Sequence, residues 1–353
     1  MAGILFQINI EKEIKQMKKP YLIGIVTVIV LCAIVLNIVP VLAQNDRYQI
    51  IERALSPGEC LDTCNVPLGS AVYHLKNGVT KVYGPDKKLF LSAKDSEASL
   101  ISTPYGSVSA TRVHHVPSGS LIKTIDNVTK VYHDEVCILT VVNQSGSELP
   151  TPSFEGWIEQ TRDLDVDGLC NFRAKWHCPS DPPTPSSDAI NYIFNAIQPN
   201  DCSAIIQPVI EWNYANSGCW TGACWEVTLS DYYRSDPIDV VENDEIWGQM
   251  VRSNNTWWIY LSNYTGLEAT SLQSWECDEQ NDLMIFCALE GYNNIDSDDD
   301  VPGDITFYDM IFKDSSNGDI DITWDTYIAQ GTGLTGLGVT VYSDSSAKLN
   351  TAN

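Results

Sequence analysis

The sequence predicts an all-β protein built from two packed sheets of antiparallel strands. Beyond residue 154, short alternating or continuous apolar segments follow one another, among them "NFRAKWHC", "AINYIFNAI", "SAIIQPVIEW", "ACWEVTLSDYY" and "TWWIYLSNY". None holds a helical period for three turns, whereas strand-length runs bounded by Gly, Asn, Asp and Ser recur throughout. All ten Trp fall between residues 154 and 330, the aromatic mass that a sheet-on-sheet core requires.

The first element is residues 1–43. Residues 21–43 form an uncharged, almost wholly apolar run, preceded by "MKKP" from Met17 and closed by "VLA" before Gln44. Two readings fit this segment: a secretory signal cleaved before Gln44, with Met17 as the true start, or an uncleaved membrane anchor. Either one places the rest of the chain outside the cell, secreted or held at the outer face of the membrane. Cysteine usage agrees, since Cys32 lies in the leader and ten Cys follow it, an even number suited to disulphides in an oxidising compartment. Three of the ten precede residue 144 and seven follow it, so complete pairing needs a bridge between the two regions. Asn127, Asn143, Asn254 and Asn263 carry N-x-S/T glycosylation triplets.

Residues 44–143 read as a small duplicated β region. "VPLGSAVYHLKNGVTKVY" (66–83) and "VPSGSLIKTIDNVTKVY" (116–132) align with one residue of slip. Each copy has a turn signal, Asn77-Gly78 or Asp126-Asn127, before the strand "VTKVY". His74, His114, His115 and His133 lie here, in a spacing that matches no standard ligand set. They are expected on exposed strands and loops. Residues 144–153, rich in Ser, Gly and Pro, form a linker, and 154–353 make up the sandwich.

The formal net charge is −25, which excludes nucleic acid and anionic lipid as natural partners. Membrane contact is expected only through the N-terminal segment, if uncleaved. "DLDVDG" (163–168) begins like a calcium loop, with Asp163, Asp165 and Asp167 as oxygen ligands and Gly168 at the sharp turn. Its twelfth position is Ala174, so a full EF-hand fails and a looser calcium site remains. No phosphate loop, GxSxG elbow or Cys/His dyad is present.

"DCSAIIQPVIEW" (201–212) places Cys, a short apolar run and Gln207 ahead of the acidic-aromatic pair Glu211-Trp212. It is followed by "ACWE" (223–226), "PIDVVENDEIWGQMV", "TWWIYLSNYTG" and "ALEGYNN…DDDVPGDITFYDMIF". In this order the segments resemble the eqolisins, the glutamic peptidases, over roughly residues 154–313. The resemblance implies a concanavalin-like double-sheet jelly roll. It also implies a Glu that takes a proton from the attacking water and a Gln amide that stabilises the oxyanion, with no cofactor required. Gln207 matches the family's Gln. For the Glu two alignments stand: one puts Glu290 in the catalytic place, the other puts Phe286 there and removes the acid. Glu211, Trp212, Trp225 and Glu226 are the accompanying substrate-binding candidates. Where the family carries Trp-Val-Gly-x-Asp, this chain has "YIFNAIQ" (192–198).

Two functions therefore compete. One is a secreted glutamic peptidase acting on polypeptide substrates. The other is a non-catalytic extracellular β-sandwich that binds a cell-surface glycan or protein through the same concave sheet, or through its Trp-rich strands.

Overall fold

A computed structural model of the chain describes residues 66–144, 156–275, 282–330 and 333–353. The signal or anchor segment, Gln44, Cys60, Cys64, Cys277 and most of the linker lie outside these. The described residues form an all-β structure, with two large sheets packed face to face and a separate small hairpin. None of their helices is long and apolar enough to cross a membrane.

The first sheet has nine strands. Its path runs Asp325–Ile328, Trp157–Val166, Leu283–Tyr292, Ile190–Pro199, Ala204–Trp212, Trp220–Thr228, Tyr232–Ser235 and Val113–Val116, with Ile238–Asp239 pairing beside it. The second has 13 strands and includes Leu169–His177, Glu245–Ser253, Thr256–Asn263, Glu268–Ser274 and Ile305–Asp314. Alternation assigns the faces. Ile206, Ile210, Ile193 and Ile197 point between the sheets, where they meet Phe172, Trp176, Ile246, Met250 and Phe307. At Gly248 the sheets come so close that a Cβ would lie 2.1 Å from Asn195 Oδ1 and 2.8 Å from the Pro208 ring.

The duplicated segments are two hairpins, Ser70–His74 with Val79–Tyr83 and Ser120–Ile125 with Val128–His133. Gly78 and Asp126 take left-handed φ of 69° and 57° in their turns. The N-terminal region adds strands to both sheets. Val113–Val116 pairs parallel with Tyr232–Ser235, and Ser120–Ile125 pairs parallel with Glu268–Ser274.

The cysteine expectation is corrected for the described residues. Cys137, Cys178, Cys202, Cys219, Cys224 and Cys287 are free thiols. Cys178, Cys224 and Cys287 belong to the apolar layer between the sheets, where a thiol packs as a small hydrophobe. Two glycosylation sites are corrected too. Asn263 is buried and donates to Asp244 Oδ2 at 2.6 Å, and Asn143 is held by Arg112 and Asp231. Asn127 and Asn254 are exposed.

Candidate functional site

The other face of the nine-stranded sheet carries Ile205, Gln207, Val209 and Glu211 from one strand. Tyr192, Phe194, Ala196, Phe286, Ala288 and Trp225 join them in a second apolar cluster. Gln207 and Glu211 share a face because they are four residues apart in a period-two strand. Trp212 and Glu226 do not join them. Trp212 packs in the inter-sheet core, and Glu226 alternates with Trp225, which faces the groove. Both are corrected as substrate-binding candidates. Trp220 and Trp257 are core as well, which leaves no stacking platform from these buried rings.

Register decides the proposed catalytic pair. Phe194 pairs with Val209 and Ile197 with Ile206, so Ala196 lies beside Gln207, and Ala196 in turn pairs with Phe286. Glu290 belongs to another row, in which Glu211 faces Tyr192 and Tyr192 faces Glu290. Gln207 and Glu290 are thus offset by four residues along the strands, about 13 Å, and by two strand spacings, about 10 Å. Side chains on one face at that offset cannot share a single water. Glu290 is therefore corrected as the general base partnered with Gln207.

Both carboxylates in the Glu290 row are fully buried. Burial pushes the Glu290 carboxyl up to about 8, against the opposing bond from the Tyr292 hydroxyl. Glu211 is neutralised differently. Arg234 grips it through Nε–Oε1 at 3.1 Å and NH2–Oε2 at 2.6 Å, while Trp225 Nε1 donates to Oε1 at 2.5 Å and Thr221 Oγ1 to Oε2 at 3.2 Å. Arg234 also lies over the Tyr214 ring, 4.2 Å from its centroid. Glu211 and Trp225 therefore do line the groove, but their polar atoms are spent on each other.

The groove is filled by the chain itself. A hairpin, Leu100–Thr103 with Gly106–Ser109, lies across it. Its Tyr105 and Val108 are buried in the groove cluster, with Ile101 packed against it. Gln207 Nε2 donates to Pro104 O at 3.3 Å, Tyr192 Oη to Ser102 O at 2.7 Å, and Asn293 Nδ2 to Ser102 Oγ at 2.9 Å. Beside the hairpin a recess of about 380 Å³ stays open, lined by Leu100, Val113, His115, Tyr214, Asn216 and Asn293 among others. Its rim holds Ala215, Asn216 and Asn293 in left-handed backbone, with φ of 54°, 60° and 62°. Such conformations are uncommon for Ala and persist only where the surroundings enforce them.

The calcium candidate is rearranged. Asp163 is occupied, accepting from Asp165 N at 3.2 Å and Thr323 N at 2.7 Å. Asp165 and Asp167 instead converge with Asp282, all three exposed. The histidine expectation is corrected for two of its members. His74 and His114 are fully buried and meet Asp231. The signal was available for His74, which shares the inward phase of Ser70 and Val72 in its strand. Nothing local marked Asp231 as their partner, since it lies far along the chain from both.

Solved structures of glutamic peptidases are similar to this chain in arrangement. Scytalido-glutamic peptidase with a transition state analogue matches at a TM-score of 0.43 and 17% identity, covering 56% of this chain and 99% of its own. SCP-B, an eqolisin bound to the tripeptide Ala-Ile-His, matches at 0.41 and 17%, with the same coverage. A CBM2 module of the evolved Dit from Lactobacillus casei BL23 phage J-1 matches at 0.27 and 7%, covering 51% of this chain and 74% of its own. No protein-family profile and no curated protein matches. One sheet arrangement hosts many chemistries, so function must come from the side chains of the groove.

Proposed function

We propose that this chain is an extracellular, non-catalytic β-sandwich, secreted or surface-anchored, that takes a neutral polar ligand of sugar size in the recess beside the hairpin. One observation carries the reading: the row that would hold a peptidase's acid and amide reads Gln207, Ala196, Phe286, and the Gln207 amide is engaged by the hairpin's Pro104 carbonyl. Among the described residues no carboxylate shares the Gln207 row, so proton transfer there has no acceptor. The recess has the size of a small-ligand site, with apolar walls from Leu100 and Val113 and polar groups from His115, Asn216 and Asn293. The fixed left-handed rim presents those groups without further ordering on binding.

The test pairs two measurements on the full chain. A glycan array followed by titration should find a neutral oligosaccharide whose binding falls at least about tenfold in Asn216→Ala or Asn293→Ala. Digestion of a denatured protein from acid to neutral pH should show no cleavage. Cleavage lost in Gln207→Ala would establish a peptidase instead.

A further inference from the structure

The inter-sheet layer holds a polar cluster unconnected to the groove. His74 comes from the 13-stranded sheet, His114 from the edge strand of the nine-stranded sheet, and Asp231 from the turn before Tyr232. All three are fully buried. Asp231 Oδ1 lies 3.0 Å from His74 Nε2 and 3.2 Å from His114 Nε2.

Hydrogen-bond accounting fixes one tautomer. Thr80 Oγ1 gives its only proton to Asp95 Oδ1 at 2.6 Å, so it must accept from His74 Nδ1 at 2.7 Å. Neutral His74 therefore turns a bare Nε2 lone pair towards the Asp231 carboxylate. Two lone pairs 3.0 Å apart in a dry interior repel unless a positive centre joins them. A proton on Nε2, giving an imidazolium–carboxylate pair, or a metal ion could supply that centre. The convergence of three donor atoms, from His74, His114 and Asp231, within 4.8 Å of one another suits an ion. With bonds of about 2.1 Å, an ion shared by atoms 3.0 Å apart lies roughly 45° off the line joining them.

We propose that His74, His114 and Asp231 bind a divalent transition ion, zinc by the donor set, that joins the two sheets from inside. Two imidazole nitrogens are borderline donors and outnumber the one hard carboxylate oxygen, which disfavours calcium and magnesium, ions that take oxygen ligands. The supporting contacts are those a metal site needs. His74 Nδ1 is oriented by Thr80, which Asp95 holds in turn, and Asp95 also accepts from Thr111 and Arg112. Asp231 Oδ2 accepts from Asn143 Nδ2 at 2.6 Å, and Oδ1 faces both imidazoles, within hydrogen-bond distance of His114 Nε2 at 3.2 Å, a contact the ion would replace. His114 stacks on Tyr233 at 5.1 Å, and its Nδ1 has no hydrogen-bond partner, so this ligand is the weakest held. Full burial means that the ion enters as the chain folds.

The experiment refolds the full chain with zinc or cobalt, or with EDTA, then removes free metal and measures metal content, cobalt absorption and Tm. The expected result is about one tightly held ion per chain, visible d–d bands in the cobalt form and a higher Tm than the EDTA form. His114→Ala and Asp231→Asn should lose the ion, while Asp165→Asn with Asp167→Asn, at the exposed acidic cluster, should keep it. Wild-type protein that holds no stoichiometric metal and melts identically in all three refolds would overturn the proposal, leaving a buried imidazolium–carboxylate pair. Metal retained in both ligand variants would overturn it equally, by placing the ion elsewhere.

Discussion

Gln207 and Phe286 occupy one row of the nine-stranded sheet, with Ala196 between them. The phenyl ring offers no group that could activate a water held by the amide. It packs instead on Trp157, with ring centroids 5.4 Å apart. The floor of the groove is therefore a packing surface, and the hairpin that lies on it completes the core.

That hairpin is held by Tyr105, which is 4% exposed, and by polar bonds from Gln207, Tyr192 and Asn293. Tyr105→Ala should undock it, at a cost of up to about 3–5 kcal/mol if the whole sandwich opens and less if only the hairpin leaves. Limited proteolysis should then cut within residues 100–109 while the sandwich survives. Resistance equal to that of wild type would show that Tyr105 does not anchor the hairpin.

The buried Glu211–Arg234 pair sets a second expectation. Glu211→Ala strands a guanidinium among Tyr214, Tyr192 and Trp225, and should destabilise the fold by about 3–5 kcal/mol. Replacing both partners, as Glu211→Gln with Arg234→Met, should recover much of this loss. Urea denaturation of the single and double variants measures the difference.

Stability should fall as pH rises through neutrality. Burial holds Glu290 up to about 8 against an ordinary 4.5, and burial raises Glu159 to about 8 as well, despite its bond from the Gly338 N–H. Between those values the folded chain keeps protons that the unfolded chain releases. The stabilisation is therefore complete below about 4.5 and is lost as pH climbs towards 8, a change on the order of a few kcal/mol for each group. Glu290→Gln should remove part of the slope in a Tm-versus-pH series, and adding Glu159→Gln should remove most of the rest. A flat wild-type profile would contradict this.

Thiol reactivity checks the cysteines. Burial raises Cys224 and Cys287 far above an ordinary thiol, so neither should react with a thiol reagent until the chain is unfolded. Exposed Cys219 should react at once. Peptide mapping that found Cys224 or Cys287 in a disulphide would refute the free-thiol assignment.

Strand alternation is local, and so the sequence by itself determined the all-β class, the doubled hairpin and the common face of Gln207 and Glu211. Each follows from residues two to four apart. It also contained the choice between Glu290 and Phe286 without the means to make it, because a strand read alone carries no register to its neighbour. Register is fixed by pairing across the sheet, and a shift of four residues keeps the face but moves a side chain by about 13 Å. Only the tertiary structure brought Arg234 to Glu211, Pro104 to Gln207, and Asp231 to His74 and His114. These partners are 23, 103, 157 and 117 residues apart in the chain. Burial then decided their chemistry, turning polar residues that a sequence would leave at the surface into groups that must find a partner or a proton.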